Sequence, residues 1–95
     1  MFTNPERIEL CNRALESVRA LILADLHQNV FEDINRFNEW GVGMEMLIDQ
    51  MSDREIRVTL KQFRFIEAAM AAMGLADSAR VRYLREHHVG TCDEL

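Results

Sequence analysis

The sequence predicts an all-α protein, a small antiparallel bundle of about five short helices. Three observations predict it. Apolar residues recur at three- and four-residue steps along nearly the whole chain. The breaks between these periodic stretches carry cap-forming residues. Nothing reads as a strand, because no stretch alternates apolar and polar residues with a period of two. The 95 residues have room for one domain, residues 1–95, close to the smallest size at which an apolar core holds without disulfides or metals. Residues 4–88 are expected to form its ordered body and residues 89–95 a frayed tail.

The first helix is expected from Asn4 to about Leu23. Asn4 can cap it, Pro5 suits a first-turn position that needs no N–H donor, and Glu6 favours the positive end of the helix dipole. Ile8, Cys11, Leu15, Val18 and Ile22 form its buried stripe. Asp25 is the expected second cap, with Asn29 the alternative bend, and Val30, Phe31, Ile34 and Phe37 form the stripe of a helix that stops near Asn38. Glu39 and Trp40 open a third helix with Trp40, Met44, Leu47, Ile48 and Met51 on one face. Gly41 and Gly43 each disfavour a helix by about 1 kcal/mol relative to alanine, so their expected use is close approach of the second and third helices. Residues 52–58 lack a helical period and read as an extended connector.

Thr59 with Gln62 three positions on makes a capping box for a fourth helix, whose stripe is Leu60, Phe63, Ile66, Met70 and Met73. Gly74 ends it in a left-handed conformation. Asp77 is the expected cap of a last helix to about His87, using Ala79, Val81, Tyr83 and Leu84.

The search for reaction chemistry finds little. The sequence has no glycine-rich phosphate loop, no Gly-x-Ser-x-Gly and no pair of cysteine couples, so a non-enzymatic role without cofactor or metal is expected. His87 and His88 point about 100° apart on a helix, which makes a shared metal difficult. Cys11 and Cys92 are neither a disulfide framework nor a zinc motif, and a reducing cytoplasmic setting is expected. The N-terminus does not read as a signal peptide, and the longest apolar run, residues 20–24, is too short to cross a bilayer.

Charge is more informative. Residues 25–53 hold Asp25, Glu32, Asp33, Glu39, Glu45, Asp49 and Asp53 against Arg36 alone, within a chain of net charge −5. Such a field speeds encounter with a basic protein and repels nucleic acid, although an ordinary solvated helix face is the competing account. Glu45 and Asp49 share one helix face at four-residue spacing. Arg80, Arg82 and Arg85 lie on a short helix after a turn, which keeps a small DNA-binding regulator as an alternative. A helical adaptor without such a partner is the other.

The segment from Phe37 to Leu47, Phe-Asn-Glu-Trp-Gly-Val-Gly-Met-Glu-Met-Leu, resembles the signature stretch of the MafI family of bacterial immunity proteins. That stretch reads Asn-Glu-aromatic-Gly-hydrophobic-Ala-x-Glu-x-Leu. Gln50-Met51, a polar connector, a helix begun at Thr59 and the Ala-x-x-Gly ending from Ala71 to Gly74 follow in the family's order, so the likeness spans residues 30–85. Gly43 stands where the family has alanine, and the connector through Arg54 and Arg57 is more basic than usual. The resemblance implies a cytoplasmic immunity protein that binds, one to one as a monomer, the C-terminal toxin domain of a polymorphic toxin used in contact-dependent growth inhibition. Such toxins are frequently nucleases, EndoU-type RNases among them. The contact residues expected from the acidic segment are Glu32, Asp33, Glu39, Glu45, Asp49 and Asp53. Trp40 is a candidate for contact or for core, and its place on the apolar stripe favours the core.

Overall fold

The computed structural model describes residues 3–90. It is mainly helical: α1 (Asn4–Ser17), a 3₁₀ turn (Arg19–Leu21), α2 (Ala24–Asn35), α3 (Trp40–Asp53), β1 (Val58–Thr59), α4 (Leu60–Ala72), α5 (Ala79–His88) and β2 (Val89–Gly90). The five α-helices match the expected number, while their ends differ in ways that local chemistry explains.

The cap of α1 is Thr3, one residue before the expected Asn4. Thr3 Oγ1 accepts from the Glu6 amide at 3.3 Å while the Thr3 amide donates to Glu6 Oε1 at 2.8 Å. That hydrogen bonding to Thr3 also holds the Glu6 carboxyl below its ordinary pKa. Asn4 Oδ1 instead accepts from Arg7 at 3.2 Å. The helix stops at Ser17, well short of Leu23. Ser17 Oγ donates to the Ala14 carbonyl at 2.7 Å, and the Ser17 carbonyl is taken from outside by Gln62 Nε2 at 2.8 Å.

Asp25 is not a cap but a first-turn residue of α2, whose N-cap position is Leu23 with no side-chain bond. The α2 helix ends at Asn35, and Asn38 turns the chain toward α3 with φ of 54°, a left-handed conformation that asparagine tolerates. Phe31 and Phe37, expected in the core, are exposed. Of the two glycines in α3, Gly43 meets the expectation of close approach: a Cβ there would lie 3.0 Å from Asp33 Cβ on α2. Gly41 has nothing within 4 Å and does not.

Several further expectations fail. The stretch 52–58 is not one extended connector, since α3 continues to Asp53 and turns at Glu55 with φ of 54°. Strands do exist: Val58 pairs with Val89 and Thr59 with Gly90 in a two-stranded parallel sheet. Val89 and Gly90 are thus paired rather than frayed, and the remaining tail lies outside the described residues, as does Cys92. The last helix is capped by Ser78, whose Oγ accepts from the Val81 amide at 3.3 Å, and not by the neighbouring Asp77. Tyr83 and Ala79 face outward, while Val81 and Leu84 are buried.

The capping box of α4 forms as expected, with Thr59 Oγ1 accepting from the Gln62 amide at 3.0 Å and Gln62 Oε1 from the Thr59 amide at 2.8 Å. Gly74 takes the expected left-handed φ, at 75°. Thr59→Ala should lower stability by about 1 kcal/mol in urea unfolding, and Thr59→Ser should retain most of it. Equal melts for the two variants would show that the box contributes nothing.

One core collects the buried stripes: Cys11, Ala14, Leu15 and Val18 of α1, Leu26, Val30 and Ile34 of α2, Met44, Leu47, Ile48 and Met51 of α3, Phe63, Ile66, Ala69 and Met70 of α4, and Val81 and Leu84 of α5. Burial pushes the Cys11 thiol up to about 11, so it behaves as a small apolar side chain and not as a nucleophile. No helix among the described residues is long and apolar enough to cross a membrane.

Candidate protein-binding surface

The acidic segment spreads over α2, the turn after it and α3. Along α3, Val42, Glu45, Asp49 and Asp53 recur at three- and four-residue steps on the side opposite Leu47 and Met51, because a helix whose apolar stripe is buried presents its remaining stripe outward. Glu45 and Asp49 therefore share a face as spacing predicts. That face meets α5, and Arg80 takes both carboxylates. Its Nε lies 2.9 and 3.0 Å from the two oxygens of Asp49, and another guanidinium nitrogen lies 3.2 Å from Glu45 Oε2. The bond to Asp49 and the charges of both carboxylates raise the Arg80 pKa further.

This clamp changes two readings at once. The Glu45–Asp49 pair is half-compensated from within the chain, one guanidinium against two carboxylates, and is less available to a basic partner. The arginine helix is similarly occupied, since Arg80 is held by α3 and Arg85 sits 4.0 Å from Glu67. Arg82 alone of the three has no ion pair among the described residues.

The other expected contact residues fare differently. Glu32 accepts from Gln28 Nε2 at 3.2 Å and lies 3.9 Å from Arg36. Asp33 is half-buried, with its Cβ against Gly43 and its carbonyl accepting from the Glu39 amide at 2.7 Å. Glu39 is exposed at the N-cap position of α3, where its side chain makes no capping bond. Asp53 is exposed at the far end of α3, where it lines a cleft of about 330 Å³ with Ser52, Arg80 and Tyr83. The site is thus not one patch: Glu32, Asp33 and Glu39 gather at the α2–α3 corner, and Asp53 lies at the opposite end of α3, nearer the Arg80 clamp.

Trp40 is half-buried and packs against the core, with the Arg7 guanidinium 5.9 Å from its ring centroid. Its Nε1 is buried without a hydrogen-bond partner among the described residues. Trp40 thus sits at the edge of the core with part of its surface exposed.

Two residues at the corner were not expected there. Phe37 and Val42 are each 54% exposed. Val42 could have been found, since it falls off the α3 apolar stripe. Phe37 could not, because its outward position depends on α2 ending two residues before it. Together they give the acidic corner an apolar component, the combination that protein interfaces use for anchoring within a polar rim.

Histidine chemistry is dispersed. His27 Nε2 lies 3.0 Å from Glu16 Oε2, a contact that lowers the Glu16 pKa. His87 is exposed and His88 buried, their ring centroids 6.5 Å apart. No group of three His, Cys, Asp or Glu side chains is placed to hold a metal ion among the described residues.

No family model, curated protein or solved structure matches this chain.

Proposed function

We propose that this chain is a cytoplasmic immunity protein, a non-catalytic inhibitor that binds a basic toxin domain, most simply a nuclease, one to one and occludes its working surface. The observation that carries the reading is the α2–α3 corner. There Phe37 and Val42 stand exposed within a segment of seven acids whose own cation is Arg36. The acidic field steers the encounter and the apolar pair anchors the docked complex. The corner also coincides with the Phe37-to-Leu47 stretch that resembles the MafI signature. Contact is assigned to Glu32, Asp33 and Glu39 around Phe37 and Val42, with Asp53 acting through its charge. Glu45 and Asp49 shape the field while bound to Arg80, and Trp40 supports the corner from beneath. The same reading takes the helices as an antiparallel bundle, in keeping with the hydrogen bonds that join opposite ends of α1 and α4.

Arg80's engagement with α3 counts against a DNA-binding regulator, since it occupies one of that helix's three arginines. The deciding experiment is co-expression with the toxin domain encoded beside this protein, scoring growth and co-purification. Rescue with a stable complex is expected; continued toxicity with no complex would overturn the proposal. With the complex in hand, Phe37→Ala and Val42→Ala should each weaken binding about tenfold while leaving thermal unfolding nearly unchanged. Glu39→Lys should slow association, most strongly at low salt. Unchanged association and dissociation rates in all three variants would place the interface elsewhere.

A further inference from the structure

A second surface of opposite sign lies between α1 and α4. The start of α1 meets the end of α4, where Arg7 Nε donates to the Ala72 carbonyl at 3.0 Å. The end of α1 meets the start of α4, where Gln62 donates to the Ser17 carbonyl. Between these ties the two helices leave a groove of about 590 Å³. Leu10, Leu60 and Phe65 line it and remain partly exposed, packed on the core from above. All of its charged lining residues are cations: Arg13, Lys61 and Arg64. Arg13 is held by Glu9 at 2.6 Å, whereas Lys61 and Arg64 have no ion pair among the described residues. An apolar floor thus lies under a rim in which two of three cations are uncompensated, on a chain of net charge −5.

We infer that this groove binds a helical segment of a partner protein, one with an apolar stripe flanked by acidic residues. Two packed helices present a channel into which the ridge of a third fits. The apolar stripe would cover Leu10, Leu60 and Phe65, and its flanking carboxylates would meet Lys61 and Arg64. A membrane or a nucleic-acid duplex suits the site less well. Either could meet the cationic rim, but a broad anionic surface would also meet the acids elsewhere on the chain. The inference rests on other residues than the toxin reading, since the groove is lined from α1 and α4 and the corner from α2 and α3.

The test titrates the free, ¹⁵N-labelled chain with a synthetic helical peptide carrying leucines on one stripe and glutamates elsewhere, and with its lysine counterpart. The acidic peptide should shift the amide resonances of Leu10, Leu60, Arg64 and Phe65, and the lysine peptide should not. Lys61→Glu combined with Arg64→Glu should weaken the acidic peptide at least about tenfold with thermal unfolding preserved, both side chains being exposed. Absence of shifts, equal binding of the two peptides, or indifference to the double variant would overturn the inference. So would tighter binding, through the same two residues, to phosphatidylserine-containing vesicles or to a short DNA duplex. No toxin is present in these measurements, so their failure would leave the immunity reading untouched, and the reverse holds.

Discussion

Phe63→Ala is expected to lower the free energy of unfolding by about 3–5 kcal/mol, the largest loss from any single truncation of this core. Phe63 heads the buried side chains by volume and is only 2% exposed. It sits in the first turn of α4, the helix that lies against α1 along its length, with the strand pair and α5 as further neighbours. Removing the ring forfeits its transfer free energy and leaves a void that these elements cannot all close upon, because Arg7 and Gln62 pin α1 to both ends of α4. A domain of this length has a total stability of roughly 5–14 kcal/mol, so the variant should be near unfolding at moderate urea. Urea titration followed by far-ultraviolet circular dichroism measures it. A midpoint that falls with an unchanged slope is the expected result. A loss under about 1 kcal/mol would mean that the ring is not at the centre of the core.

Gly43→Leu should be destabilising by about 1–3 kcal/mol, whereas Gly41→Ala, two residues away on the same helix, should be stabilising by up to about 1 kcal/mol. The opposite signs follow from what each new side chain meets. At Gly43 even the first carbon would lie 3.0 Å from Asp33 Cβ and 3.5 Å from the Val30 carbonyl oxygen. Both belong to α2, and neither is a flexible tip that can swing away. The leucine would wedge α2 from α3, loosening Val30 and Ile34 beneath. At Gly41 nothing lies within 4 Å, and alanine simply removes backbone freedom from the unfolded chain. Thermal unfolding of the two variants side by side decides the matter; matching shifts would contradict the close approach at Gly43. That wedge also tilts the corner carrying Phe37 and Val42, so on the proposed immunity function Gly43→Leu should weaken partner binding by more than the folded fraction accounts for.

The number of helices, most of their buried stripes, the Thr59 box and the turn at Gly74 could be read from spacing and local chemistry, because each depends on residues within a few positions of one another; Phe31, Phe37, Ala79 and Tyr83, expected on the stripes, face outward. The failures share a different origin. The end of α1 depends on Gln62, which is distant in the chain. The β1–β2 pair is two residues long on each side, too short to show alternation, and arises from the way α4 and α5 bring its strands together. Thr3 against Asn4, and Ser78 against Asp77, were choices between adjacent residues of nearly equal capping ability, resolved by backbone geometry. For the candidate surface, spacing correctly placed Glu45 with Asp49, but helical periodicity contains nothing about Arg80 arriving from another helix. The acidic composition was visible; its division between a clamped part and a corner with exposed Phe37 was not.

The two ties between α1 and α4 bear on how the protein is made. They join residues 45 and 65 positions apart in the chain. A ribosome delivers α1 first, yet its main packing partner emerges only after α2 and α3 have been synthesised. Until then α1 has only its smaller contacts with α2 and α3, while α2 and α3 can pair across a turn of a few residues. The acidic corner would thus take shape on the nascent chain before the rest of the bundle closes behind it.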